Sequence, residues 1–143
     1  MRALMPSLLV VFLLSAACGP KAVELPPPVA ASAKYPDYIF PAVVGALGTE
    51  AAQERHKAGW LWLQAGDLKA AERNFEGALK LSSDFYPSEV GLGYVNLASK
   101  DLDEAARRFD RAVVANPRYV PALVGRGEAL LGLGEREMAL KSL

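Results

Sequence analysis

Apolar and polar positions follow three different patterns along the 143 residues of the chain. Residues 8–14 (LLVVFLL) form an unbroken apolar run. Residues 19–49 (GPKAVELPPPVAASAKYPDYIFPAVVGALGT) show no period, and Pro20, Pro26, Pro27, Pro28, Pro36 and Pro41 forbid a long helix there. From Thr49 onward apolar residues recur at helical spacing, in pairs of stretches divided by short turns. The pattern then repeats. Residues 67–79 read DLKAAERNFEGAL, residues 101–113 read DLDEAARRFDRAV and residues 135–143 read EREMALKSL, each beginning thirty-four positions after the last. A fixed period of this length indicates one helix–turn–helix unit used repeatedly, and therefore an all-α fold.

Aligned as 52–85, 86–119 and 120–143, the units carry matching chemistry at matching places. The eighth place holds Gly59, Gly93 and Gly127, and the twentieth holds Ala71, Ala105 and Ala139. The twenty-fourth holds Phe75, Phe109 and Leu143, while Ala78 and Ala112 share the twenty-seventh. A glycine inside a helix costs about 1 kcal/mol relative to alanine. Its return at one spot predicts close approach by a neighbouring helix, with the large apolar residue filling the gap. Ala105 is expected between the two helices of its unit. Helix ends are marked as well. Thr49 is placed as an N-cap, with Glu50 behind it in the first turn. Gly66 and Gly134 stand where a first helix would close in a left-handed cap, and Lys100 holds the equivalent, less comfortable place. Asp101 and Glu104 have capping-box spacing. Pro87 and Pro121 sit second in their units, where a missing N–H costs nothing.

This pattern resembles the tetratricopeptide repeat family over residues 52–143. Residues 92–117 (LGYVNLASKDLDEAARRFDRAVVANP) carry it best, with Gly93, Ala105, Phe109, Ala112 and Pro117 in family positions. Ser83 departs from it where Pro117 stands one unit later, and Arg55 replaces the usual early tryptophan. The resemblance implies a tetratricopeptide-type solenoid of two full repeats and a partial third. That third unit stops at Leu143, inside its second helix, whereas solenoids finish on a polar capping helix. A sequence that continues is expected, with a naturally frayed end as the alternative.

The N-terminal residues read as an address. Arg2 and the amino terminus precede the apolar run, and the small residues Ser15, Ala16 and Ala17 follow it. This is the layout of a secretory signal peptide, too short for a comfortable membrane span. Residues 14–18 (LSAAC) resemble the lipobox of bacterial lipoproteins, with Ser15 where that family has leucine. An ordinary signal peptidase would cut at the same bond, after Ala17, so the two readings differ only in whether Cys18 carries lipid. Lipid is favoured, because an exported protein with one unpaired thiol is odd. The lipoprotein family carries three acyl chains on this cysteine. At about 0.8 kcal/mol per buried methylene, such an attachment is long-lived. Gly19 rather than Asp follows, which by the same resemblance directs the protein to the outer membrane where the organism has one. The chain thus divides into a signal peptide (1–17), a lipidated Cys18 with a proline-rich tether (18–49) and a repeat domain (50–143). The tether is a semi-rigid spacer of roughly 3.1 Å per residue where polyproline-like. Its YPDYIFP stretch (35–41) is apolar enough either to order against the first helix or to bind a partner.

Charge and chemistry narrow the function classes. Sixteen Lys and Arg balance sixteen Asp and Glu, interspersed as on a solvated helix surface, so nucleic acid is not an expected partner. With one cysteine, Cys18, and one histidine, His56, neither an internal disulfide nor a Cys/His metal site can be assembled. The GLG triplets at 91–93 and 132–134 follow no strand-like run, and no nucleophile stands with a base. No cofactor, metal or small-molecule substrate is expected, and the residues present read as non-catalytic.

The repeat resemblance implies instead a concave groove, lined by the first helix of each unit, that binds other proteins. Unit one would contribute Gln53, His56, Trp60, Leu63 and Gln64. Unit two would contribute Val90, Tyr94, Leu97 and Ala98, and unit three Val124, Glu128 and Leu131. Chaperone-adaptor members grip a C-terminal carboxylate with Lys and Asn; His56 and Trp60 stand there instead, which argues against that mode. Trp60 and Tyr94 are either binding anchors or packing residues against the tether or the next repeat. Trp62 is a core residue. The preferred function is a lipid-anchored interaction scaffold at the bacterial cell envelope. The alternative is the recruitment region of an enzyme whose catalytic domain lies beyond residue 143.

The lipid expectation is directly measurable. Expressed in a bacterial host, the protein should partition into a detergent phase, and Cys18→Ser should release it into the aqueous phase. A soluble wild-type protein with the unmodified mass of residues 18–143 would contradict it.

Overall fold

The structure, a computed structural model, describes Lys34, Tyr35, Asp37, Tyr38, Pro41 and residues 47–142. The stretch read as a signal peptide, Cys18, most of the stretch read as a tether (called the tether below) and Leu143 lie outside the described residues. Six helices follow one another: α1 (Glu50–Ala65), α2 (Leu68–Leu81), α3 (Tyr86–Ser99), α4 (Leu102–Ala115), α5 (Val120–Gly132) and α6 (Arg136–Leu140). They pack in antiparallel pairs, each helix against the next, and α1 also touches α3 as α3 touches α5. No strand occurs among the described residues. The periodicity of the sequence is the periodicity of the helices. Helices α2, α4 and α6 begin at Leu68, Leu102 and Arg136, thirty-four residues apart, and α3 and α5 begin at Tyr86 and Val120, at the same interval.

Local signals set the helix ends. The Thr49 hydroxyl accepts the Ala52 N–H at 3.2 Å, and the Asp67 and Asp101 carboxylates accept from Ala70 and Glu104 at 2.9 and 3.2 Å. Each satisfies an N–H that the helix itself leaves unpaired. Pro87 and Pro121 fall in the first turns of α3 and α5. Gly66 closes α1 in the left-handed region with φ 86°, and Lys100 closes α3 the same way with φ 67°. A side chain in that region costs about 1 kcal/mol or more, so Lys100 is the strained member of the pair. Gly134, φ 82°, falls one place beyond the Leu133 cap of α5. Only half of the expected capping box forms. Glu104 directs its carboxylate to Arg107, Arg108 and Arg111 at 2.8, 3.0 and 3.2 Å. Arg108 and Arg111 also reach Glu89 of α3, each at 3.2 Å, so the ion pairs tie α3 to α4.

Packing between successive helix pairs turns on two phenylalanines. Phe75 of α2 and Phe109 of α4 are fully buried, each with its ring between two glycines. A Cβ added at Gly59 would lie 2.7 Å from the Phe75 ring, and one at Gly93 would lie 2.7 Å from the Phe109 ring. Those are contacts inside one unit. Gly91 of α3 crowds the other side of Phe75, and Gly125 of α5 crowds the other side of Phe109, more closely still. Each ring therefore locks its own pair to the following pair. Ala71 and Ala105 are fully buried in the same clusters, and Ala78 and Ala112 are also fully buried, as the repeated small residues require.

The third and sixth places of the units carry the contact with the preceding pair: Ser88 and Gly91 on α3, Ala122 and Gly125 on α5, all buried. The equivalent residues of α1 are Glu54 and Lys57, both exposed. No helix packs on that side of α1 among the described residues. The first pair is thus finished with charge where the later pairs are finished with small residues.

Gly125→Ala would drive a methyl group into the Phe109 ring. Overpacking of this kind should lower stability by roughly 1–3 kcal/mol, seen as a reduced midpoint in thermal unfolding followed by circular dichroism. An unchanged midpoint would mean that the ring is not held between the two helices.

Candidate functional site

The face shared by α1, α3 and α5 receives a piece of the tether. The Lys34 N–H donates to the Gln64 carbonyl at 2.9 Å, and the Gln64 side-chain amide donates to the Tyr38 carbonyl at 3.1 Å. At the other end of α1, the Gln53 side-chain amide donates to the Leu47 carbonyl at 2.9 Å. Two glutamines eleven places apart thus hold the incoming chain by its backbone. The glycine cap at Gly66 leaves room for the aliphatic stem of Lys34 to lie against it. The Tyr38 N–H closes back on the Tyr35 carbonyl at 3.2 Å, and the two rings stack at 5.3 Å with an interplanar angle of 12°. Tyr38 in turn meets the Tyr94 ring at 4.9 Å.

Tyr94 is the junction of the face. Its ring lies 5.5 Å from Trp60 and 5.3 Å from Phe109, so it joins the tether to the cores of the first and second pairs. Burial pushes its phenol up to about 12, with the negative charge of Glu128 adding to the effect. Glu128 borders a cleft of about 400 Å³ together with Tyr38, Leu97, Ala98 and Lys100. Glu128 is exposed as a residue, but the partial burial of its carboxyl against the cleft raises its pKa, and the Lys100 charge draws it back down.

The residues that the sequence assigns to the groove separate into three sets. His56, Trp60, Leu63, Val90 and Leu97 are interior, each 5% exposed or less. They are covered because the next odd helix, or the tether, lies over them: Trp60 meets Tyr94 of α3 at 5.5 Å, and Val90 and Leu97 join a cluster that includes Ala122 and Ala129 of α5. Gln53, Gln64, Tyr94 and Ala98 are partly exposed and face the tether or the cleft. Val124, Glu128 and Leu131 are exposed; with Gly127, Ala139 and Leu140 they line a smaller apolar hollow of about 260 Å³. Trp62 is half-buried beside the first core cluster. Ser88 and the tether tyrosines complete the site. Ser88 carries no signal in the sequence, because the equivalent places in the other units hold Glu54 and Ala122.

His56 is a fully buried ionisable side chain of this face, and its chemistry is settled by its neighbours. The Trp60 indole N–H, which can only donate, bonds to His56 Nε2 at 3.2 Å. Burial holds the imidazole neutral, with its pKa lowered to about 3. The proton therefore sits on Nδ1 and is donated to the Ser88 hydroxyl oxygen at 3.0 Å. A histidine that donates to a serine cannot take that serine's proton as a general base. The pair is a structural bridge between α1 and α3. Among the described residues no group of His, Cys, Asp or Glu is placed to hold a metal ion, and no helix is long and apolar enough to cross a membrane.

No family model matches the chain, and no curated protein matches it.

The buried imidazole makes stability depend on pH. Its folded pKa lies below the ordinary value of 6.5, so between pH 6.5 and about 3 the unfolded chain takes up a proton that the folded chain refuses. Stability therefore falls on acidification through this window, by about 1.4 kcal/mol per pH unit from this group. In His56→Gln the dependence of the unfolding midpoint on pH between 6.5 and 4.5 should be shallower than in the wild type. Equal slopes would place the imidazole in water.

Proposed function

We infer that this protein is a non-catalytic, lipid-anchored scaffold of the tetratricopeptide type, held at the bacterial cell envelope by Cys18. It receives segments of partner proteins on the face of α1, α3 and α5. The observation that carries the reading is that this face already holds a polypeptide segment, with Gln64 and Gln53 bonding its carbonyls and Tyr94 taking its ring. These are the contacts with which a protein surface grips a peptide: backbone hydrogen bonds for affinity and an aromatic anchor for position. The face continues beyond that segment. Val124 and Leu131, at 45% and 57% exposure, extend it along α5 with uncovered apolar side chains. The thirty-four-residue register and the paired helices support the repeat assignment, and the LSAAC stretch supports the anchor.

A photo-crosslinking amino acid placed at Leu131 in the membrane-anchored protein should yield discrete adducts with envelope proteins. The same group at Val114, exposed on α4, should not. Val124→Asp should reduce the adducts at position 131 by roughly tenfold or more, as expected for an interface anchor worth at least about 1.4 kcal/mol. Equal adducts from both positions, or none from either, would overturn the reading.

A further inference from the structure

The docked tether has the form of a motif rather than of a linker passing by. Its Tyr38 N–H to Tyr35 carbonyl bond is the closure of a four-residue turn. The sequence between the two tyrosines is Pro36–Asp37, residue types favoured in tight turns. Closing the turn stacks the two tyrosine rings, and the stack as a unit meets Tyr94. The outer side of the motif is polar, with Lys34 and Asp37 exposed.

The motif also fits its seat incompletely. Tyr35 and Tyr38 are only partly buried, and the cleft bordered by Leu97, Ala98, Lys100 and Glu128 remains open beside them. The two phenylalanine locks form without it. Phe75 and Phe109 are each locked by two glycines from the helices themselves. Among the described residues its contacts are of the kind exchanged readily with another segment: one bond from its backbone, one to its backbone, the Lys34 stem against Gly66, the Tyr38 ring on Tyr94 and the packing of both tyrosines beside the Trp60 cluster.

We propose that the turn of Tyr35 and Tyr38 is an internal ligand that competes with partners for the α1–α3 face, which recognises an aromatic pair stacked by a tight Pro-containing turn. This rests on the reading of the face as a partner-binding surface and specifies what it accepts. Because the internal copy is covalently attached, its effective concentration is high. A partner meets an occupied face, and its apparent affinity is reduced by the fraction of molecules in which the face is free. A partner therefore needs either a better aromatic turn or additional contacts along α5, where Val124 and Leu131 lie beyond the internal ligand.

The test uses a fluorescent, end-blocked peptide of residues 34–38 (KYPDY) and the full chain in detergent. Tyr35→Ser with Tyr38→Ser should empty the face and bind the peptide at least tenfold more tightly than the wild type. The same peptide with both tyrosines changed to serine should not bind. Equal affinity for wild type and double variant overturns the proposal, as does no binding to a folded double variant. The second outcome leaves crosslinking at Leu131 untouched, so loss of this proposal is distinguishable from loss of the scaffold reading. Should the double variant fail to fold, hydrogen exchange on the wild type decides. The Lys34 amide, bonded to Gln64, should exchange at least a hundredfold faster than the Phe75 and Phe109 amides by local opening. Equal protection would make the turn part of the cooperative core and overturn the proposal.

Discussion

Two phenylalanine rings, each clasped by glycines from two helix pairs, set the geometry of everything else. A ring wedged between Gly59 and Gly91, or between Gly93 and Gly125, leaves no space for a single added carbon. Interiors packed at this density transmit position without slack. The separation of α1 from α3, and of α3 from α5, is therefore set by the thickness of an aromatic ring. The rotation of each odd helix follows, because its glycine edge must meet the ring. Once that rotation is set, Gln64, Tyr94 and Glu128 are turned to their common face.

The same constraint explains the asymmetry of the first pair. Lys57 stands in α1 where α3 has Gly91 and α5 has Gly125. Among the described residues no ring from an earlier pair arrives there, so the close approach that requires glycine does not arise, and a solvated charge suits an exposed flank. On the other flank of α1 the need is reversed. Trp60 and Leu63 are large apolar residues, and the tether tyrosines pack beside the cluster that holds them. The tether segment is thus both a cover for the first pair and an occupant of the shared face.

Inside the face a small polar chain joins the pairs: Trp60 to His56 to Ser88. The indole and imidazole N–H groups each have an acceptor in it, which is what allows those polar atoms at this depth. The arrangement links α1 to α3 through directional bonds beside the non-directional Phe75 contact. It adds specificity of register to packing that is otherwise a matter of volume. Its cost is pH sensitivity, since the imidazole must stay neutral.

Much of this was legible in the chain itself. The helix pairs, their thirty-four-residue interval, the caps at Thr49, Gly66 and Asp101, and the close approach at Gly59 and Gly93 all follow from local rules: capping chemistry, helical period and the absence of a Cβ. Such signals are carried by residues near one another in sequence, so they can be read there. The partners of Gly91 and Gly125 were less plain, because the ring each one meets belongs to the preceding unit. What tertiary structure alone decided is which residues of the shared face are exposed. Val90 and Val124 hold the same place in their units, yet one is fully buried and the other is 45% exposed. Leu97 and Leu131 differ in the same way, at 5% and 57%. The residue types are identical, so no local rule separates them. Burial is a property of what lies across the helix, and α5 covers the second unit while nothing described covers the third. Nor does the sequence by itself bring Tyr38 to Gln64 and Tyr94; that contact is made only across the fold.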